Sequence, residues 1–212
     1  MTETFAFGLL AFTSLFTLIN PLGTMPVFMA MTSELSVEER NRTARKASVV
    51  AFFTIIAFAL TGQLLFNFFG ISVNSFRVVG GIIFFIMGMD MLQARLSQVK
   101  IRDNEVKSYV SDISITPLAI PMICGPGAIT TVILLMEDAN TIPKKLTLFI
   151  AVFLIMLLTY IILYSSSRLI KLLGQTGINV MMRIMGLIVM VIAVEFFFSG
   201  LKPIILDMFP VK

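Results

Sequence analysis

The sequence predicts an all-α membrane protein, in which six transmembrane helices form two inverted-topology repeats of three helices, with helices one and four broken at Pro/Gly motifs. Three observations predict this fold. Only 13% of the 212 residues are charged and 58% are apolar, with a mean hydropathy of +0.98, whereas a soluble domain carries about 25% charged residues. Six apolar stretches are long enough to cross a bilayer. A pattern of Pro, Gly and Arg residues recurs in the second half of the chain.

The six apolar stretches define the elements in order. A helix needs roughly 20 residues to cross the hydrocarbon core, and apolar runs of that kind lie near 4–31, 47–69, 76–94, 113–136, 146–168 and 180–201. The first run lacks a basic leader and a small-residue cleavage site, so we interpret it as a helix rather than a signal peptide. Transmembrane strands would give short alternating segments, and the sequence shows none.

The distribution of basic residues predicts the orientation of these helices. Eleven of the sixteen Lys and Arg residues fall in the connections after helices one, three and five, and five fall on the opposite side. Cytoplasmic connections are enriched in Lys and Arg, so both termini are expected outside the cytoplasm. The net charge of +4 is therefore read as a topology signal and not as a nucleic-acid surface.

The repeat aligns the two halves of the chain. Pro21 lies 105 positions before Pro126, and Arg77 lies 106 positions before Arg183. Residues 1–96 form the first three-helix repeat, 97–112 a cytoplasmic linker, and 113–212 the second repeat. Because three is odd, the second repeat must enter the membrane from the opposite side, as in many secondary transporters.

The first and fourth segments each contain a helix break. Proline has no N–H and clashes with the preceding turn, and non-helical backbone inside a membrane is tolerated only where it is buried or lines a cavity. The two breaks are therefore expected to face each other at the midplane, where helix ends bind the carboxylate and ammonium of a small zwitterion. The alternative is that these residues only kink the helices for packing. Thr116 and Thr131 are nearby polar side chains, and the predicted substrate-binding residues are Asn20, Pro21, Gly23, Thr24, Gly125, Pro126, Gly127 and Thr130.

Two acidic residues lie within the apolar segments. Glu195 is about 18 Å along its helix from Arg183, whereas Asp90 is about 7 Å from Arg95 and nearer the cytoplasmic interface. Intramembrane acids can relay protons or bind a coupling cation, so both are candidates for coupling or gating. The alternative is that each acid pairs with Arg or caps a free backbone group, and for Asp90 we prefer that alternative. Arg77 and Arg183 are expected to snorkel to the interface.

The composition also argues against several classes of chemistry. The chain has no His and one cysteine, Cys124, which argues against His-based catalysis and most zinc sites and leaves Cys124 as a packing residue. No phosphate-binding Gly-Lys-Ser/Thr loop occurs. We therefore expect no enzymatic activity, no metal and no cofactor, with H⁺ or Na⁺ as the candidate coupling ions.

Three stretches carry a resemblance to a known family. INPLGTMPVFMAMT (19–32), GGIIFFIMGMDML (80–92) and PLAIPMICGPGAITTVI (117–133) are similar to the MarC family of bacterial inner-membrane proteins, and the likeness extends over essentially the whole chain. The resemblance implies a carrier of small neutral amino acids such as Gly, Ala, Ser or Thr in the inner membrane. Its motif residues in this sequence are Asn20, Pro21, Gly23, Gly125, Pro126 and Gly127.

The expected function is thus secondary transport of a small neutral amino acid by alternating access, with the site at the midplane between helices one and four. The partners are then a small-molecule substrate and the lipid bilayer, with no nucleic acid. A channel or exporter for other small solutes and a non-transporting membrane scaffold are the alternatives.

Overall fold

The computed structural model of the chain describes residues 2–93, 110 and 112–208, and about 92% of these residues are helical. The helices in chain order are α1 (Thr2–Ile19), α2 (Pro21–Met31), α3 (Val37–Phe69), α4 (Val73–Leu92), α5 (Ser114–Ile123), α6 (Pro126–Asp138) and α7 (Ile142–Met208). Most of the predicted linker 97–112 lies outside the described residues.

Local sequence signals set several helix ends. Ser36 and Glu39 form a reciprocal capping box at the start of α3, and Gly70 ends that helix in the left-handed conformation with φ 64°. Ser72 caps α4 by accepting a hydrogen bond from the N–H of Ser75 at 3.0 Å. α7 is interrupted at Gly174, where φ is 60° and ψ is −178°, a conformation that glycine adopts readily.

The predicted membrane architecture is confirmed in its coarse form. Within the described residues, five helical stretches are long and apolar enough to cross a bilayer: Glu3–Met31, Val37–Phe69, Val73–Leu92, Ile142–Ser166 and Thr176–Met208. The count becomes six if α5 and α6, which are bent by 58°, are taken as one span. The inverted-repeat arrangement and the breaks in helices one and four stay predictions.

The connection predicted before the second span is shorter than expected. Arg40, Arg42, Arg45 and Lys46 were expected in a loop before a helix at 47–69, but they lie on the first turns of α3. The capping box begins the helix ten residues earlier, because its side chains satisfy the first N–H groups there. Arg40 is buried, and its guanidinium donates to the carbonyls of Thr32 at 3.2 Å and Leu35 at 2.9 Å.

Small residues bring α4 and the second half of α7 into close antiparallel contact. A Cβ added at Gly81 would lie 2.7 Å from the Ala193 carbonyl oxygen, and one added at Gly88 would lie 2.9 Å from that of Gly186. One added at Gly200 would lie 2.6 Å from the Asn74 carbonyl. These residues recur every seven positions along each helix, so they form one continuous seam of the kind that lets membrane helices approach closely.

Helices from the first half of the chain pack against helices from the second half. α1 packs against α6, α2 packs against α5, and α4 also contacts α6. α3 contacts both α5 and α6, and the Cys124 thiol lies 3.1 Å from the Ala51 carbonyl of α3 as a hydrogen-bond donor. The two Pro/Gly motifs therefore lie inside the bundle and not on its periphery.

Candidate functional site

The first Pro/Gly motif separates α1 from α2 at a single residue. Asn20 adopts the left-handed conformation with φ 45° and ψ 64°, which Asn tolerates better than most residues. Its side-chain oxygen accepts a hydrogen bond from the N–H of Gly23 at 3.1 Å. A Cβ at Gly23 would lie 2.3 Å from the Asn20 side-chain nitrogen, so glycine is required there for the Asn20 amide to fold over the first turn of α2.

A small cavity lies beside this motif. It has a volume of about 30 Å³, and its wall contains side chains from α1, α2, α4, α5 and α7. Those residues are Thr17, Leu18, Ile19, Asn20, Gly23, Thr24, Phe84, Met87, Met91, Met122, Val189 and Ile192. That volume suffices for about one or two water molecules, so little free space lies beside the motif.

Opposite helix ends meet at this cavity. The carbonyl end of α1 contributes Thr17 to Ile19, and the N-terminal turn of α2 contributes Gly23 and Thr24. Pro21 has no N–H to donate to the Thr17 carbonyl four residues before it. A helix C-terminus favours a cation and a helix N-terminus favours an anion, so the cavity can attract both ends of a zwitterion.

The second motif separates α5 from α6 at Cys124 and Gly125. The backbone of α5 is extended at Thr116 and Ile120, as expected for residues that precede proline. Pro126 begins α6 at the first helical position, which its missing N–H suits. Gly125, Pro126 and Gly127 are all buried.

The start of α6 differs from the start of α2 in its capping. Among the described residues, no side chain accepts a hydrogen bond from the first turn of α6. The backbone N–H groups at the start of a helix normally find such a partner when they are buried. Pro126 has no N–H, and the Ile129 N–H donates to the Gly125 carbonyl at 3.0 Å, so the N–H groups of Gly127 and Ala128 are the donors at this helix end, with the positive end of the helix dipole behind them.

Two side chains separate the second motif from the cavity. Phe84 lines the cavity, and a Cβ at Gly125 would lie 2.2 Å from its ring. Leu18 also lines the cavity, and a Cβ at Gly127 would lie 3.1 Å from its methyl group and 2.7 Å from the ring of Phe196. Glycine at both positions lets these side chains pack directly on the α6 backbone, and the two motifs face each other across one layer of side chains.

The four candidate threonines occupy different environments. The Thr24 hydroxyl lines the cavity and donates to the Asn20 carbonyl at 3.2 Å. The Thr130 hydroxyl is buried and donates to the Gly127 carbonyl at 3.1 Å, one turn into α6. Thr116 is exposed and Thr131 is half-buried, and neither lines the cavity.

The remaining candidates also lie away from the cavity wall. Pro21 is buried beside Asn20, and Pro126 packs against α4, where a Cβ at Gly80 would lie 2.3 Å from its Cβ. Asp90 is half-buried near the end of α4. Glu195 is exposed on α7, about 20 Å along the helix from its end at Met208.

Sequence reasoning missed the apolar wall of the site. Phe84, Met87, Met91, Met122, Val189 and Ile192 line the cavity but are ordinary apolar residues within apolar helices, so no local pattern distinguishes them. The seven-residue spacing of Gly81 and Gly88 could have indicated that α4 packs closely on a partner helix. Neighbouring side chains such as Phe84 would then have been candidates for residues that line the cavity.

Comparison with known proteins finds relatives that match nearly the full length of this chain. Residues 5–205 match a family described as MarC family integral membrane protein. A UPF0056 membrane protein of Pyrococcus horikoshii is 41% identical over 95% of this chain and 98% of its own length. UPF0056 membrane protein YvbG of Bacillus subtilis is 38% identical over 98% of each chain. No solved structure matches at a significant level.

Proposed function

The chain belongs to the MarC family of integral membrane proteins, and from that premise we propose that it is a secondary transporter of small neutral amino acids. The substrate site is the cavity beside Asn20 together with the start of α6. An amino-acid zwitterion of the size of Gly, Ala, Ser or Thr would bind there at the midplane. The chain acts as a carrier and not as an enzyme.

One observation supports this proposal above the others, namely the buried and uncapped N-terminus of α6 beside a cavity that receives the carbonyl end of α1. Buried N–H groups without partners are costly, and a bound carboxylate would satisfy them. The substrate ammonium would in turn bind the carbonyls near Thr17, one of which has no helical donor because of Pro21. Asn20 and Thr24 would complete the polar wall.

The small size of the cavity fits a carrier that alternates between conformations. Even glycine has five heavy atoms and needs more room than about 30 Å³, so binding requires the bundle to open. Phe84 and Leu18 are the side chains that must move to connect the cavity with α6. The contacts of α1 with α6 and of α2 with α5 join the two halves of the chain, and in the proposed inverted-repeat arrangement these halves would rock against each other.

Glu195 and Asp90 are the proposed coupling or gating residues, with H⁺ or Na⁺ as the ion. Glu195 lies well inside the span Thr176–Met208, where a carboxylate is costly unless it has a function or a partner. The Glu195→Gln variant should transport alanine but lose the stimulation by a pH gradient. Unchanged stimulation would remove Glu195 from the coupling mechanism.

We place the chain in the cytoplasmic membrane with both termini outside, because the positive-inside rule favours that orientation. A reporter fused after Lys212 should be active on the outer side. Activity on the cytoplasmic side would invert the topology without affecting the site.

Transport in proteoliposomes tests the proposed function directly. Purified protein is reconstituted, and uptake of labelled alanine is followed with and without an imposed pH gradient. Gly23→Leu is the site variant, because a side chain there would meet the Asn20 amide. The matched control is Gly70→Asn, since nothing lies within 4 Å of a Cβ at Gly70 and Asn tolerates its left-handed φ of 64°.

Saturable uptake that Gly23→Leu loses and Gly70→Asn retains would support the carrier and its site. Conduction without saturation would replace the carrier with a channel. If wild-type vesicles match empty vesicles for alanine, glycine, serine and threonine, the substrate class is wrong, and a scaffold becomes the better hypothesis.

A further inference from the structure

A groove separate from the candidate site runs between α3 and the first half of α7. Its wall on α3 is one helical stripe formed by Glu38, Asn41, Arg42, Arg45, Ser48, Val49, Phe52 and Phe53, and its wall on α7 is formed by Phe153, Met156, Leu157 and Tyr160. The residues recur at three- and four-residue intervals, so each set shares one face of its helix. The groove opens to the outside of the bundle.

The two ends of this groove differ in chemistry. The polar end has a volume of about 390 Å³ and is lined by Arg42, Arg45, Asn41, Glu38 and Tyr160. The apolar end has a volume of about 220 Å³, and the edge-to-face rings of Phe52 and Phe153, 6.3 Å apart, span its two walls. Arg45 and Tyr160 line both ends, so the groove is continuous.

The dimensions of the groove match those of one lipid leaflet. Glu38 and Phe53 are fifteen residues apart, which is about 22 Å along a helix. Half of a bilayer, including its headgroup region, is about 20 to 22 Å thick. The α3 helix begins at Val37, so the two arginines lie in its first turns, at headgroup level, and the aromatic rings lie at acyl-chain depth.

A buried hydroxyl marks the boundary between the two ends. Ser48 is 95% buried and lines the groove, and its Oγ has no hydrogen-bond partner among the described residues. A buried polar atom without a partner is unfavourable. A lipid has ester and glycerol oxygens at this depth, between the headgroup and the acyl chain, and a χ1 rotation can aim the hydroxyl at them.

We propose that this groove is a binding site for one anionic phospholipid. The phosphate interacts with Arg42 and Arg45, with Tyr160 beside it, the glycerol ester region reaches Ser48, and one acyl chain lies along the outer edges of the paired Phe52 and Phe153 rings. Two arginines against the single carboxylate of Glu38 leave this end net positive, and basic pockets between transmembrane helices suit acidic headgroups.

Lipid titration of the purified full-length protein in detergent tests this proposal. The thermal unfolding midpoint is followed against phosphatidylglycerol, phosphatidylcholine with the same acyl chains, and soluble glycerophosphoglycerol, and native mass spectrometry counts the bound lipids. Arg42→Gln and Arg45→Gln should each weaken phosphatidylglycerol binding roughly fivefold and weaken phosphatidylcholine binding less, because the choline ammonium already offsets the charge of the phosphate in that lipid. Arg183→Gln is the matched control, because Arg183 is also exposed and lies outside the groove.

Ser48→Ala tests the ester contact separately from the charge. It should weaken both lipids by a similar factor, roughly fivefold for one lost hydrogen bond. Equal stabilisation by the two lipids, or an equal loss with Arg183→Gln, would overturn the proposal. Full stabilisation by glycerophosphoglycerol would mean that the arginines bind a soluble phosphate ester without acyl chains, and that result would also overturn the proposal.

Discussion

The two Pro/Gly motifs, which are the predicted breaks, differ in how the helix after each proline begins. α2 and α6 both start at a proline, Pro21 and Pro126. The residue before the proline is Asn20 in the first case and Gly125 in the second. Asn20 caps the N–H of Gly23, whereas no described side chain caps α6. The first turn of α2 thus has a side-chain partner that the first turn of α6 lacks among the described residues.

From this difference we expect the two motifs to have separate roles in the proposed transport. The Asn20 amide and its left-handed backbone hold the first break in one shape beside the cavity. At the second break, the missing Cβ atoms let Phe84 and Leu18 pack on the α6 backbone. We therefore expect the first break to orient the substrate, and we expect the second to bind its carboxylate once Phe84 has moved.

Making the second motif resemble the first should have the largest effect on alanine uptake. Gly125→Asn introduces a side chain that can cap α6 and satisfy the donors that the substrate needs, so alanine uptake should fall to the level of empty vesicles. Gly125→Ala adds only a Cβ against the Phe84 ring and should retain part of the uptake. Equal uptake by the two variants would mean that the α6 N–H groups do not bind substrate.

Removing the Phe84 ring, which lies between the two motifs, should have the next largest effect, on stability and on substrate selectivity. Phe84→Ala should lower the free energy of unfolding by about 3 to 5 kcal/mol, because it deletes a nearly buried ring. It should also connect the cavity with α6 and admit amino acids larger than threonine. Unfolding in denaturant and competition between alanine and leucine in proteoliposomes measure the two results.

Two further variants control for the loss of the ring. Phe84→Leu keeps most of the volume, so it should fold and should shift selectivity in the same direction. Phe85→Ala changes a neighbour that is 40% exposed and should change stability by only about 0.5 kcal/mol. Unchanged selectivity in both Phe84 variants would remove this residue from the site.

The backbone and side-chain roles of Asn20 can be separated by two substitutions. Asn20→Ala loses the cap and places a Cβ in the left-handed conformation, so it should cost about 2 kcal/mol of unfolding free energy. Asn20→Gly keeps the backbone conformation and should cost less than about 1 kcal/mol. Denaturant unfolding in detergent measures both values. Equal costs would show that the left-handed conformation contributes nothing to stability.

The smallest effect is expected from the two buried threonines. Thr24→Val removes a hydroxyl from the cavity wall and should raise the KM for alanine roughly fivefold, which corresponds to about 1 kcal/mol. Thr130→Val removes a hydrogen bond within α6 and should lower stability by about 1 kcal/mol with little change in KM. If Thr130→Val instead raised the KM and Thr24→Val did not, the hydroxyl that contacts the substrate would be that of Thr130 at the second motif.

Much of the framework could be predicted because it follows local rules. The apolar runs near 76–94 and 180–201 correspond to the described spans Val73–Leu92 and Thr176–Met208. The start of the second span was missed, because a charged amphipathic turn resembles a loop until the Ser36 and Glu39 side chains are seen to cap it. The apolar run placed Glu195 within a span, as the structure does, whereas only the packing of α7 decides that its side chain is exposed.

By itself the sequence determined the apolar spans and the two Pro/Gly motifs at which a regular helix is disfavoured, whereas Pro26 and Pro203 lie within helices in the structure. Proline lacks an N–H and glycine lacks a Cβ, and both effects act within about four residues of the chain. Tertiary structure alone decided that Phe84 lies between two motifs 105 positions apart, that the cavity beside Asn20 is small, and that Arg42, Arg45 and Tyr160 share one groove. These features depend on how distant helices pack, and packing responds to the shapes of all the contacting side chains together, which no local pattern records.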